Sequence, residues 1–187
     1  MNGEIVVLGI SGSLRKASFN TTLLRAAIEL APPGMRIEMG DIRGIPGYDE
    51  DLRAQGFPEP VTRLRDAIAR ADALLVVTPE YNFSMPGVLK NAIDWASRPP
   101  DQPFAGKALG IMGASASIGG TMRAQYHLRQ SAVFLDMHPI NKPEVFVARA
   151  QNAFDETGKL VDESARKLVR QHLESLQAWA RRLTAKA

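Results

Sequence analysis

Apolar runs at residues 4–10, 35–40, 73–78, 107–113 and 144–149 alternate with stretches of helical spacing at about 20–31, 59–71, 86–97 and 120–135. This β-α-β-α order constrains the fold more than any other feature of the chain. A run such as Ala73-Leu74-Leu75-Val76-Val77 has no polar alternation, so both of its faces must be covered. A parallel sheet with helices on each side does that, which makes the class α/β. A last amphipathic stretch, about 161–185, places Val161, Ala165, Leu168, Val169, Leu173, Leu176, Trp179 and Leu183 at three- and four-residue intervals. One face of that helix is expected to pack on the sheet, with Trp179 in the core rather than in a site.

The chain of 187 residues has the length of one domain, and residues 1–187 are read as a single unit without repeats or linkers. With 45% hydrophobic and 23% charged residues, its balance is that of a globular chain rather than a disordered one. No export signal or membrane span is read from it, and a cytoplasmic location is expected. The formal charge of +3 comes from 23 basic and 20 acidic residues. The basic residues are scattered rather than gathered into a stripe, so nucleic-acid binding is not indicated. There is no cysteine, which removes disulfides, thiol chemistry and iron–sulfur ligation, so redox chemistry requires a bound cofactor. His127, His138 and His172 sit in no metal-ligand frame and read as surface or packing residues.

In an open α/β sheet, ligands bind beyond the carboxyl ends of the strands, where strand order reverses. The loops expected there are Ser11 to Asn20, Thr78 to Pro86, and Gly113 to Gly120, each rich in Gly, Ser, Asn or Pro. The first reads Gly-Ile-Ser-Gly-Ser-Leu-Arg-Lys-Ala-Ser-Phe-Asn from Gly9 to Asn20. A Ser/Gly-rich turn into a helix aims backbone N–H groups, hydroxyls and the positive helix end at one point. The spacing matches neither the dinucleotide nor the nucleoside-triphosphate glycine pattern, which leaves a terminal monophosphate. Ser11, Ser13, Ser18 and Asn20 would supply neutral hydrogen bonds and Arg15 a charge-assisted one. On this segment alone, an ordinary N-capped turn explains the residues equally well. The second loop holds Glu80, Tyr81 and Asn82 between Pro79 and Pro86, stiff enough to present backbone groups to a flat heteroaromatic edge. The alternative is a rigid connection whose Tyr81 and Phe83 pack on neighbouring helices.

Three motifs together resemble the NAD(P)H-dependent FMN reductases of flavodoxin-like fold, which include quinone-, chromate- and azo-reducing enzymes. They are Gly9-x-Ser11-Gly12-Ser13-Leu14-Arg15-x-x-Ser18-x-Asn20, Thr78-Pro79-Glu80-Tyr81-Asn82-x-Ser84-x-Pro86-Gly87-x-Leu89-Lys90-Asn91-Ala92-Ile93-Asp94-Trp95, and Gly119-Gly120 before a helix. The resemblance covers about residues 4–150. It implies a three-layer sandwich around a five-stranded parallel sheet in the order 2-1-3-4-5. It also implies FMN, with its phosphate on Ser11, Ser13, Arg15, Ser18 and Asn20. The isoalloxazine ring would lie on Pro79, Glu80, Tyr81 and Asn82, largely through main-chain atoms, with Ser84 nearby and Ser115, Ser117 and Gly119 flanking it. Ala116 and Ser117 stand where many relatives carry glycine, which alters the backbone shapes open to the third loop.

Relatives form homodimers or homotetramers, and on that pattern Arg123, Tyr126 and Glu144 would pair across a subunit boundary. The implied reaction passes hydride from NADPH or NADH to FMN and then to a small-molecule acceptor, with quinone the first choice beside free flavin, azo dyes, nitroaromatics and chromate. The flavin supplies the chemistry, so no catalytic acid, base or metal is assigned. Arg15 or Lys107 would meet the 2′-phosphate of NADPH if it stood at the pocket mouth. The alternatives are a flavodoxin-like electron carrier, which the slightly basic charge disfavours, and a protein that kept the fold without the cofactor.

Overall fold

The expected alternation is present in the structure, a computed structural model that describes residues 3–185. In chain order the elements are β1 (Ile5–Ser11), α1 (Phe19–Glu29), β2 (Met35–Gly40), α2 (Glu50–Ala54), α3 (Glu59–Arg70), β3 (Ala73–Val77) and α4 (Gly87–Ala96). There follow β4 (Ala108–Ala114), α5 (Met122–Phe134), β5 (His138–Pro139), β6 (Val145–Val147), α6 (Ala150–Ala153) and α7 (Glu163–Thr184). The strands run parallel in the order β2-β1-β3-β4-β5, with β6 also paired to β4.

Every residue of β3 and β4 is buried, as continuous apolar central strands require. Successive side chains point to opposite faces and so divide two cores. Val7, Leu75, Val77 and Met112 join Leu23 and Leu24 of α1 and Leu173 and Leu176 of α7 on one face. Leu8, Ile10, Leu74, Val76 and Ile111 meet Leu64, Ile68, Leu89 and Leu128 on the other. The outer strand β2 instead alternates buried Met35 and Ile37 with exposed Arg36 and Glu38, and such charges protect a sheet edge from further pairing.

The other edge differs from expectation. The single strand read at 144–149 is two short pieces at one edge position: His138 and Pro139 lie beside Ala108 and Leu109, and Val145 to Val147 beside Met112 to Ala114. Pro139 and Pro143 lack the N–H that a continuous ladder needs. The sheet therefore has six strand segments in five positions. The connection between β2 and α3 contains α2, and Trp95, fully buried, anchors that connection by donating its indole N–H to the Pro46 carbonyl at 2.9 Å.

The last helix packs on the sheet, but two of its expected apolar contacts do not. Val161 precedes α7 and is 46% exposed, and Leu168 is 39% exposed. Trp179 lies half-buried against the core, its indole N–H donating to the His138 carbonyl at 3.0 Å.

His172 of α7 is fully buried, as a packing histidine, with Nδ1 2.8 Å from the Pro143 carbonyl and Nε2 without a partner. Burial pushes its imidazole down to about 4; the Pro143 carbonyl pulls the other way, while the Arg129 charge adds to the lowering. The folded chain keeps the ring neutral, whereas the unfolded chain protonates it near 6.5. Its share of stability is therefore intact above pH 6.5 and is lost as pH falls from 6.5 towards 4, by about 3 kcal/mol in all. Urea unfolding between pH 7 and 5 is expected to show that slope in the wild type and a shallower one in His172→Gln; equal slopes would refute the assignment.

Candidate functional site

Parallel register brings three strand ends together: Ser11 is level with Val77, and Val77 with Met112. The loops that follow β1, β3 and β4 therefore meet at one edge, as the topology demands. They are also pinned to one another. Gly12 donates its N–H to the Val77 carbonyl at 2.8 Å, and Thr78 donates to the Met112 carbonyl at 3.0 Å. A Cβ on Gly12 would stand 3.1 Å from Leu89 and 3.2 Å from the Thr78 hydroxyl. Neither glycine at these strand ends, Gly12 or Gly113, is a site residue in the motif reading, yet both set how closely the loops approach.

The first loop winds round its own hydroxyls. Ser11 Oγ lies 2.8 Å from Thr21 Oγ1 and accepts from the Ser13 N–H at 3.4 Å, and Ser13 Oγ accepts from the Arg15 N–H at 3.3 Å. Ser18 is the N-cap of α1, accepting from the N–H groups of Asn20 and Thr21 at 3.2 and 3.4 Å. The first turn of α1 carries no acidic side chain, so its positive end is uncompensated. Asn20 bonds across the fold. Its side chain is buried, donating to the Ala114 carbonyl at 2.9 Å and accepting from the Ala114 N–H at 2.8 Å. It ties α1 to the end of β4.

The second loop is a tight turn. Tyr81 and Ser84 exchange two backbone hydrogen bonds, each 2.9 Å, across Asn82 and Phe83, which both take positive φ, 50° and 64°. Asn suits such a primed turn; Phe83 has a Cβ to accommodate and is held there at a cost of ~1 kcal/mol. Its ring faces the Arg123 guanidinium at 4.0 Å. Tyr81 and Phe83 are 53% and 64% exposed, so they do not pack into the helices behind them. The Glu80 carboxylate accepts from the N–H groups of Arg123 and Ala124 at 2.9 and 3.2 Å and pairs with the Arg123 guanidinium at 3.3 Å. It caps α5, which Thr121 does not. Ser84 Oγ lies 2.9 Å from Nδ1 of His127.

In the third loop, Ser115 Oγ donates to the Gly120 carbonyl at 2.7 Å and lies 2.8 Å from Ser117 Oγ, so both hydroxyls support the loop itself. Gly119 has open space where a Cβ would be, whereas Gly120, at φ +57°, would press a Cβ to 2.9 Å from Phe146. Gly120 rather than Gly119 is the conformationally required glycine of this pair.

Lys107, Arg123, Tyr126 and Glu144 all have partners within the chain. Lys107 precedes β4, at the opposite end of the sheet from the loops, where its ammonium donates to the Ala71 carbonyl at 2.6 Å and burial lowers its pKa. It cannot meet a nucleotide at this edge. Tyr126 donates to Glu144 at 2.9 Å within the chain, and Arg123 is engaged by Glu80, so these three residues are already paired without a second subunit.

The strand order and the three converging loops define a protein of flavodoxin-like fold. The sequence profile of the family described as NADPH-dependent FMN reductase matches residues 5–152, and the chain belongs to that family of oxidoreductases. It is 63% identical to an NAD(P)H-dependent FMN reductase of Pseudomonas aeruginosa over 98% of this chain and 99% of that one. It is 48% identical to an NADPH:quinone oxidoreductase of Arabidopsis thaliana over 97% and 95% of the two chains. Among solved structures, it is similar to FerB, a flavoenzyme NAD(P)H:(acceptor) oxidoreductase from Paracoccus denitrificans, with TM-score 0.87 and 34% identity over 95% and 98% of the chains.

Proposed function

We propose that residues 1–187 act as one FMN-binding domain that takes hydride from NADPH or NADH and delivers it to a quinone. The observation that carries this reading is the meeting of three loops at the carboxyl ends of β1, β3 and β4, one of them entering a helix with no acidic side chain in its first turn.

The residues suit FMN. Ser11, Ser13, Arg15 and Ser18, beside the positive end of α1, would hold its phosphate, and Asn20 would keep that helix end in place. Main-chain atoms of Pro79, Glu80, Tyr81 and Asn82 would face the ring, with Ser84 beside them and Ser115, Ser117 and Gly119 on the flank. When bound, FMN supplies the hydride-accepting and hydride-donating chemistry. The chain's own contribution is placement: strong backbone pinning of the loops fixes the donors, and backbone N–H groups of the second loop would support the charge of a reduced ring.

The exposed apolar side chains Tyr81 and Phe83 of the second loop, with Tyr126, Val133 and Phe134 along α5, support a homodimer or homotetramer in which α5 is covered. Sedimentation reads that state directly, and a fully active monomer would remove it. No helix among the described residues is long and apolar enough to cross a membrane, and the proposed location is the cytoplasm. Because one open pocket serves both substrates in turn, steady-state rates with NADPH and a quinone are expected to give parallel double-reciprocal lines. Intersecting lines would mean that both substrates bind together and would overturn the shared pocket.

A further inference from the structure

The turn of the second loop holds two residues in a conformation that suits only one of them. Asn82 and Phe83 occupy its central positions at φ 50° and 64°, where Asn-Gly is the favoured pair. Asn82 fits, but a phenylalanine in the left-handed region is strained. Burial does not compensate, because Phe83 is 64% exposed.

What meets the Phe83 ring is α5. The Arg123 guanidinium lies 4.0 Å from the ring centre, within reach of a cation–π contact. The same guanidinium pairs with Glu80 at 3.3 Å. Glu80, with only 13% of its side chain exposed, also accepts from the N–H groups of Arg123 and Ala124 at 2.9 and 3.2 Å. Four residues further along the helix, and so on the same face, His127 Nδ1 lies 2.9 Å from Ser84 Oγ. The helix therefore grips the loop before the turn, within it and after it. Arg123 touches two of these points at once, tying the residue before the turn to the strained residue inside it.

We propose that Arg123 is a positioning residue for the flavin, acting through Phe83 and Glu80 to hold the turn in the shape that presents its backbone to the ring. The inference rests on the function proposed above, in which main-chain atoms of Pro79, Glu80, Tyr81 and Asn82 face the ring, and adds to it a residue from another element. Glycine at position 83 would let the turn form unaided; with phenylalanine there, the shape depends on the helix. Loosening the turn displaces donors that support the reduced ring more than the oxidised one, because negative charge develops on reduction. Loss of the Arg123 side chain should therefore lower the midpoint potential of the bound flavin and not only its affinity.

Arg123→Ala is tested alone and together with Phe83→Gly. In FMN-free protein, hydrogen exchange of the Tyr81 and Ser84 amides, which close the turn at 2.9 Å, is expected to quicken about fivefold in Arg123→Ala and by less than about twofold when Phe83→Gly is also present. In FMN-loaded protein, Arg123→Ala is expected to lose about fivefold in its preference for reduced over oxidised FMN, a fall of about 20 mV in midpoint potential. In the Phe83→Gly background the same substitution should change that preference by less than about twofold. Tm should stay within about 3 °C of the wild type, since a half-exposed side chain is removed while the backbone N–H groups that Glu80 caps remain. Unchanged exchange and potential in Arg123→Ala would overturn the proposal. So would an equal fall in potential in both backgrounds, which would make the effect one of charge rather than of the turn. A fall accompanied by dissociation in sedimentation would assign Arg123 to a subunit boundary and overturn its role within the chain. If the wild type takes up no FMN, the proposed function falls and the flavin role with it, while the exchange rates still show separately whether Arg123 holds the turn.

Discussion

A Gly113→Ala protein is expected to unfold about 10 °C below the wild type and to lose FMN binding. Gly113 lies in β4 where the second and third loops converge, and a Cβ there would stand 2.3 Å from the Thr78 carbonyl oxygen and 2.1 Å from Thr121 Oγ1. Neither neighbour can swing away at low cost. The carbonyl belongs to the backbone, and Thr121 is fully buried with its hydroxyl accepting from Gln125 at 3.0 Å. Overpacking against fixed atoms costs about 3 kcal/mol, which for a chain of this length corresponds to the stated fall in Tm. The loops must part to admit the methyl group, and so the edge that faces the flavin opens with them. Gly119→Ala is the control, since open space surrounds that position and stability should change by less than about 0.5 kcal/mol. Thermal unfolding and an FMN titration check both variants; similar stability in the two would mean that the contact between the loops is not what holds the edge.

Asn20→Ala should cost nearly as much, for the opposite reason. Here nothing is added; instead the buried N–H and carbonyl of Ala114 both lose their partner. Each unpaired buried group costs about 1–3 kcal/mol, so a loss of about 3 kcal/mol is expected. Asn20→Asp distinguishes this reading from simple loss of volume. Asp keeps an acceptor for the Ala114 N–H but turns a second oxygen toward the Ala114 carbonyl, so it should be no better than Ala despite its similar size. Urea unfolding measures both. An Asp variant as stable as the wild type would show that the donor half of the contact is unimportant.

These two residues also show what the sequence makes legible. The strands are readable because continuous apolar runs such as Ala73 to Val77 have only one stable setting, a sheet buried on both faces. The strand order then follows from the resemblance to a family. Elements too short for a period escape: α2 has five residues, α6 four, and the split edge strand only two and three. For the site, residue types and loops were legible but directions were not. Asn20 and Ala114 are 94 positions apart, and no local pattern says that an amide in a phosphate-loop motif turns to that partner. Glu80 likewise reads as a loop residue near a ring, while its carboxylate caps α5, 43 positions on. Charge alone does not tell which end of a strand Lys107 occupies, and the structure puts it just before β4. Gly12 and Gly113 carry a readable signal, a glycine where a strand ends, but their necessity appears only when the facing loop is in place.

The most direct test of the central claim is an anaerobic absorbance spectrum of the FMN-reconstituted protein before and after one equivalent of NADPH or NADH, and again after a quinone is added. The flavin band is expected to bleach with the nucleotide and to return with the quinone. A bound flavin whose spectrum neither nucleotide changes would contradict it and leave an FMN carrier without a donor site.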